Sequence, residues 1–241
     1  RQLIDGSKNE EVLQYTSLVL GMVLCMGDTL PYTHFSVMNS KFIEVLLHAI
    51  EKYYEDPDTE QLGELYLTLV LAFNLQYTTK GASKENSTSD SDSENLVIKL
   101  LSKQESTKYF TEKLLLLFNR EEDPLAIFEH TPRPPHSVIK MMLDVYSNPV
   151  TSQMIYTNDE RVVCDIMLRQ LSDLAPEDKH RHLYLCLLEG VVLQGGWQEH
   201  RHRQAELLRC CNNILAEEEP CSTPDKDIIT RIYQKCPQIL E

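Results

Sequence analysis

The chain has 241 residues, 42% of them hydrophobic and 25% charged, enough to bury a sizeable core and within the range of soluble globular proteins. Its net charge of −14 would repel a phosphate backbone, and no basic patch is large enough to overcome that field, which argues against nucleic-acid binding. The most apolar run, Leu18 to Met26, falls short of the roughly 20 residues that span a bilayer, and no positively charged stretch precedes it, which argues against membrane insertion and a signal peptide.

With only 8 glycines and abundant leucine, the composition predicts an all-α fold. The seven cysteines are odd in number and irregularly spaced, and Cys25, Cys164 and Cys186 sit inside apolar runs, so they read as reduced thiols of a cytoplasmic protein. The first residue is Arg1 rather than a methionine, which leads us to expect a piece of a longer protein.

Helical periodicity begins with Glu10 to Met26, Lys41 to Glu55 and Glu60 to Tyr77, with Pro57 stopping one helix and Asp58 or Thr59 capping the next. Residues 81–95, "GASKENSTSDSDSEN", then have no apolar residue beyond Ala82, which predicts a mobile Ser/Asp/Glu-rich loop. Its Ser-acidic alternation reads first as solvated spacer and second as substrate for an acidophilic kinase at Ser87, Ser89 or Ser91. Helices resume over Leu96 to Ser102, Thr107 to Phe118, Ser137 to Tyr146, Glu160 to Leu174, Pro176 to Leu193, Gln198 to Ala216 and Pro224 to Cys236. Gly195 and Gly196 end the helix that Pro176 opens.

Two echoes recur along this series. "LVLAFN", ending at Asn74, matches "LLLLFN", ending at Asn119, and "VIKLL" from Val97 matches "VIKMM" from Val138. Both offsets fall in the window of armadillo and HEAT repeats, roughly 40 to 47 residues, whose helices bury their faces by stacking on neighbours. The expected architecture is therefore a single armadillo/HEAT-like α-solenoid over 1–241, interrupted at 81–95.

Chemistry-bearing residues are sparse. The histidine pairs of "KHRHL" and "EHRHR", His180 with His182 and His200 with His202, are two apart, so on a helix neither pair can chelate one ion. A zinc site assembled across helices with Cys210 or Cys211 is the remaining metal option, set against a solvated face or a basic stripe of Arg201, His202, Arg203 and Arg209. No nucleophile elbow and no glycine-rich phosphate loop is present, which predicts a non-enzyme with no cofactor, acting through its surface. "NDERVVCDIMLRQLSDL", residues 158 to 174, is the strongest helix: Asn158 or Asp159 caps it, and Cys164, Met167, Leu168, Leu171 and Leu174 form its buried stripe. Arg169 pairs with Asp165 one turn earlier or reaches a partner. Pro132-Arg133-Pro134-Pro135 contains a PxxP, but Glu129 and His136-Ser137 are poor flanks for a Src-homology-3 or WW ligand, so the prolines read as a rigid connection entering the helix near Ser137.

"NREEDPLAIFEHTPRPPHSVIKMMLDVYSNP", "IYTNDERVVCDIMLRQLSDL" and "LTLVLAFNLQY" resemble the leucine-rich armadillo domain of the family of the NCK-interacting protein with a Src-homology-3 domain and its fungal counterparts. The likeness is densest from about Leu67 to Leu174 and continues, more weakly, through "HRHRQAELLRCCNNILAEEE". It implies a regulator of actin assembly that binds the actin-related protein 2/3 complex and activates it without a pre-existing filament, seeding linear filaments at the cytoplasmic actin cytoskeleton. It also implies links to formins and, through the full-length protein, to Src-homology-3 adaptors, and a possible homodimer; a passive scaffold binding those partners is the alternative. Candidate contact residues are polar positions inside the matching stretches that the core does not need: His130, Arg133, His136, Lys140, Asn158, Asp159, Arg161, Arg169 and Gln170, with Arg201 and Arg203 as a second patch.

Overall fold

A computed structural model describes residues 10–26, 38–54, 59–77, 95–126 and 136–240. The chain divides into two compact units, 1–141 and 142–241. Every regular element among the described residues is helical, and the helices stack face to face within each unit, as in armadillo/HEAT-like α-solenoids. The proline corner at 132–135 and nearly all of the Ser-acidic segment lie outside the described residues.

The first unit begins with α1 (Glu10–Met26), α2 (Ser40–Tyr53) and α3 (Glu60–Asn74). Asn39 caps α2 by accepting from the Phe42 amide. The apolar stripe of α2 (Phe42, Ile43, Leu46, Leu47 and Ile50) is buried against α3, at roughly 1.5–3 kcal/mol of burial energy for each large side chain. Next come α4 (Leu96–Leu101) and α5 (Lys108–Arg120). Asn95, the last residue of the acidic segment, caps α4 through the Val97 and Ile98 amides and donates from its side chain to Asn74 Oδ1 at 2.8 Å. Helix α5 is capped by a residue from another helix. Thr107 makes no side-chain cap, and Glu51 of α2 accepts from the Tyr109 and Phe110 amides at 3.3 and 3.0 Å.

The two echoes mark equivalent core positions. Leu69 and Leu114, and likewise Phe73 and Phe118, are buried, as are Val97, Ile98, Leu100 and Leu101 and their counterparts Val138, Ile139, Met141 and Met142. The equivalence breaks at the lysine: Lys99 is exposed, whereas Lys140 is 2% exposed. Asp123 joins α5 to α6 (Ser137–Tyr146), accepting from the Leu125 amide and from the Ser137 amide and hydroxyl, with His136 Nδ1 at 3.8 Å. One carboxylate thus ties the residues that follow α5 to the start of α6. The boundary between the units falls within α6.

The second unit continues through α7 (Pro149–Ser152), α8 (Thr157–Asp173), α9 (Lys179–Gln194), α10 (Trp197–His200), α11 (Gln204–Leu215) and α12 (Thr223–Lys235). Its core joins Val163, Cys164 and Met167 of α8 to Leu187, Leu188 and Val191 of α9 and Ile228, Ile229 and Ile232 of α12. Several predicted boundaries move: α3 ends at Asn74 and not Tyr77, and α8 starts at Thr157 and not Glu160. Helix α9 starts at Lys179 and not Pro176, because Asp178 accepts from the His180 amide at 2.8 Å and serves as the cap. The single helix expected over Gln198 to Ala216 is two, separated at Arg201 and Arg203, which adopt φ of 46° and 51°. No glycine or proline announces that break, so the polar run "QEHRHRQAE" carried no signal of it.

"KHRHL" proves to be a buried ionic joint rather than a solvated face. Arg181, 2% exposed, donates from Nε to Asp225 at 2.8 Å and from both terminal nitrogens to Glu217 at 2.9 and 2.7 Å, linking α9 to α12 and to the turn after α11. Burial pushes the Asp225 carboxyl up, but hydrogen bonds from His182 and Arg181 outweigh it and hold the group below its ordinary value. His182 is half-exposed; its Nδ1 lies 3.0 Å from Asp225 Oδ1, and hydrogen bonding to Asp225 and then Cys186 raises its pKa from 6.5 to about 10.

A histidine with a raised folded-state pKa contributes stability that is complete below the unfolded value and lost as pH climbs through the folded one. Stability of the second unit in urea, read by fluorescence of Trp197, is therefore expected to decline between about pH 6.5 and 10. Solvent screening of the half-exposed ring keeps the amplitude well below what the shift implies. His182→Gln should flatten this decline. An unchanged slope in the variant would contradict the assignment.

Candidate protein-docking site

Helix α8 organises the candidate site. Its buried side carries Val163, Cys164, Ile166, Met167, Leu168 and Leu171, as the heptad-like stripe predicts, with Leu174 at the margin. Tyr156 occupies the N-cap position without a side-chain cap, so neither Asn158 nor Asp159 plays the predicted capping role. Exposed on the opposite side are Asn158, Arg161, Val162 and Arg169. Tyr156 is 68% exposed at the start of the helix, and Val150 on α7 is 55% exposed. An exposed tyrosine with nearby arginine and aliphatic surface is the composition that carries energy in protein interfaces.

The segment from Gly195 to Arg203 is fastened to α8 by two carboxylates. Glu160, 2% exposed, accepts from the Gly196 amide at 3.0 Å and lies 2.9 Å from His200 Nε2 and 3.5 Å from the Tyr146 hydroxyl. The His202 amide donates to His200 Nδ1 at 3.0 Å, which places the His200 ring proton on Nε2, facing Glu160. Trp197 Nε1 donates to the His202 carbonyl at 3.1 Å. Asp165 then receives His202 Nε2 at 3.0 Å and Arg203 Nη1 at 3.1 Å, while Arg203 also pairs with Glu206. Left-handed backbone at Arg201 and Arg203 is the conformation that delivers both histidines to one helix, and these contacts offset its cost of about 1–2 kcal/mol per residue.

Between α8 and α11 the fold leaves a groove of about 440 Å³. Leu168 and Cys210 line it together with Arg169, Arg203 and Arg209.

The predicted contact residues divide accordingly. His130 and Arg133 lie outside the described residues. His136 is partly buried beside Asp123. Lys140 and Gln170, at 2% and 8% exposed, are buried, which corrects the expectation that the core does not need them. Asn158, Arg161 and Arg169 share the outer side of α8, and Asp159 is half-buried. Arg201 and Arg203 are exposed, although the Arg203 guanidinium is engaged with Asp165 and Glu206. Sequence reasoning overlooked Tyr156 and Val162; an aromatic before a helix and a valine on its polar side were the available signals.

Burial pushes the Cys164 and Cys211 thiols up to about 12, with the Glu160 charge adding to Cys164, so neither is a thiolate nucleophile near neutrality. Among the described residues no group of three His, Cys, Asp or Glu side chains could hold a metal ion, and no helix is long and apolar enough to cross a membrane.

Stacked helices with an exposed polar and aromatic face make this an all-α helical-repeat domain. The model of the SPIN90/Ldb17 leucine-rich domain matches residues 59–207, and the chain belongs to that family, which is not a known enzyme class. It is 26% identical to the protein dip1 of Schizosaccharomyces pombe over 97% of this chain and 62% of that protein. It is 23% identical to the LDB17 proteins of Eremothecium gossypii and Saccharomyces cerevisiae, over 98% of this chain and 50% and 46% of theirs. The chain thus spans about half to three fifths of the length of these relatives.

Proposed function

We propose that this domain is a non-catalytic regulator of actin assembly that binds the actin-related protein 2/3 complex and activates it without a pre-existing filament, seeding linear filaments. The observation that carries the reading is membership of the SPIN90/Ldb17 family across residues 59–207. That range contains the stretches that resemble the armadillo domains of filament-independent activators. An activator of this kind must bind the active arrangement of the complex more tightly than the resting one, because equal affinity for both shifts nothing. A rigid stack of helices meets this requirement by holding a binding face in one geometry, which favours the arrangement complementary to it. The reading places the chain in the cytoplasm at the actin cytoskeleton. Formins, Src-homology-3 adaptors and a second copy of the chain are further partners within it, each resting on the resemblance alone.

Assembly of pyrene-labelled actin with purified actin-related protein 2/3 complex, in the absence of seed filaments, tests the proposal. Added domain is expected to shorten the lag in a dose-dependent way and to do nothing when the complex is omitted. Pull-down of formins or adaptors with no effect on the lag would favour the scaffold reading.

A further inference from the structure

The geometry points to the groove between α8 and α11 as the seat of an acidic segment of the protein partner, whose carboxylate is taken by Arg209 with help from the Asn213 amide; this rests on the function proposed above. Three arginines and two acidic residues line the groove, on a chain whose net charge is −14. The two carboxylates are already engaged. Asp165 holds His202 and Arg203, and Glu206 holds Arg203. Arg203 is thereby more than neutralised, the three arginines and two carboxylates of the lining leave one net positive charge, and Arg209 carries it on the α11 side of the groove.

Arg209 is exposed and makes no ion pair or hydrogen bond with any described residue, and Asn213, one turn further along α11, is exposed as well. Leu168, 7% exposed, gives the groove an apolar wall. The Ser172 hydroxyl donates to the Leu168 carbonyl at 2.7 Å, which spends its proton within α8. The anion is therefore left to the guanidinium and the amide. At about 440 Å³ the groove lies within the roughly 300–1,000 Å³ range of sites that enclose a small ligand or a few residues of peptide. A pocket of this size with one or two cations matches a short acidic stretch. A nucleic acid, by contrast, would meet the acidic field of the whole chain over its length.

The test has two arms. In the first, binding of the full chain to fluorescently labelled actin-related protein 2/3 complex is followed by anisotropy for wild type, Arg209→Glu, Arg209→Lys and Arg120→Glu, the last an exposed arginine in the first unit. Arg209→Glu is expected to weaken binding tenfold or more, Arg209→Lys to retain most of it, and Arg120→Glu to change it less than twofold. Equal binding by wild type and Arg209→Glu, or equal losses at positions 209 and 120, overturns the inference. If the wild-type chain fails to bind the complex, it is the proposed function that fails. The second arm, fluorescein-labelled hexaglutamate titrated with the same variants, then decides the groove on its own: binding lost in Arg209→Glu supports it. Indifference to residue 209, or preference for a serine-phosphorylated peptide over hexaglutamate, overturns it. Unchanged circular dichroism melts of the Arg209 variants confirm that folding is intact.

Discussion

Arg181→Met is expected to destabilise the second unit by about 3–5 kcal/mol, the range for removing one partner from a buried ion pair. Arg181 is among the most deeply buried large side chains, and its guanidinium is shared between Asp225, itself 3% exposed, and Glu217. Methionine can occupy much of the volume but leaves Asp225, among the described residues, with only His182 to compensate its charge. The penalty is the stranded carboxylate rather than the lost contact, so Asp225→Asn in the same chain should recover part of the stability. Urea unfolding followed at Trp197 reads both effects, since the only tryptophan lies buried in this unit. Equal stability of wild type and Arg181→Met would show that the joint contributes nothing net.

Gly195→Ala is expected to destabilise the same unit by about 2–3 kcal/mol through crowding that cannot relax. The glycine has an ordinary φ of −80°, so the requirement is for space and not for a left-handed backbone. A Cβ there would lie 2.5 Å from Glu160 Oε2 and 2.6 Å from the Val191 carbonyl oxygen. The Glu160 carboxylate cannot withdraw without releasing the Gly196 amide and His200, which hold the segment leading to Arg203. Combined with Glu160→Ala, Gly195→Ala should cost less than the sum of the two single changes, because the contact with the carboxylate disappears while that with the Val191 carbonyl stays. A fully additive pair, measured by the same unfolding curves, would contradict this account of the joint.

Local signals in the sequence reached the helices and stopped at tertiary polar contacts. The stripe of α8, the limits of α1 and α6, and the glycine stop of α9 follow from periodicity, proline and glycine, which act within a few residues. The echoes were informative because Phe73 of α3 and Phe118 of α5, and Val97 of α4 and Val138 of α6, are buried core residues in alternate helices. Polar residues were harder to place. Lys99 and Lys140 stand at matching places in the echo, yet one is solvated and the other buried, since burial depends on neighbours that local spacing does not reveal. For the same reason "KHRHL" and "EHRHR" looked alike in the sequence. In the first, a buried arginine between the histidines is the anchor; in the second, the histidines themselves bind Glu160 and Asp165. The candidate site was therefore legible as a helix, while its groove and the place of Arg209 in it required the fold.

Burial also changes which substitutions inform on function. Reversing Lys140 to Glu places an acid at a position 2% exposed, so a loss of activity there would report on folding as much as on binding. Arg209 is the cleaner position. The most direct test of the central claim images single filaments by fluorescence microscopy, with actin monomers, the purified actin-related protein 2/3 complex and this domain present and preformed filaments absent. The account predicts more filaments as the domain is added, each growing unbranched from its own seed, and few of them with Arg209→Glu. A filament number that does not rise above that of the complex alone, or new filaments that emerge only as branches from older ones, would contradict it.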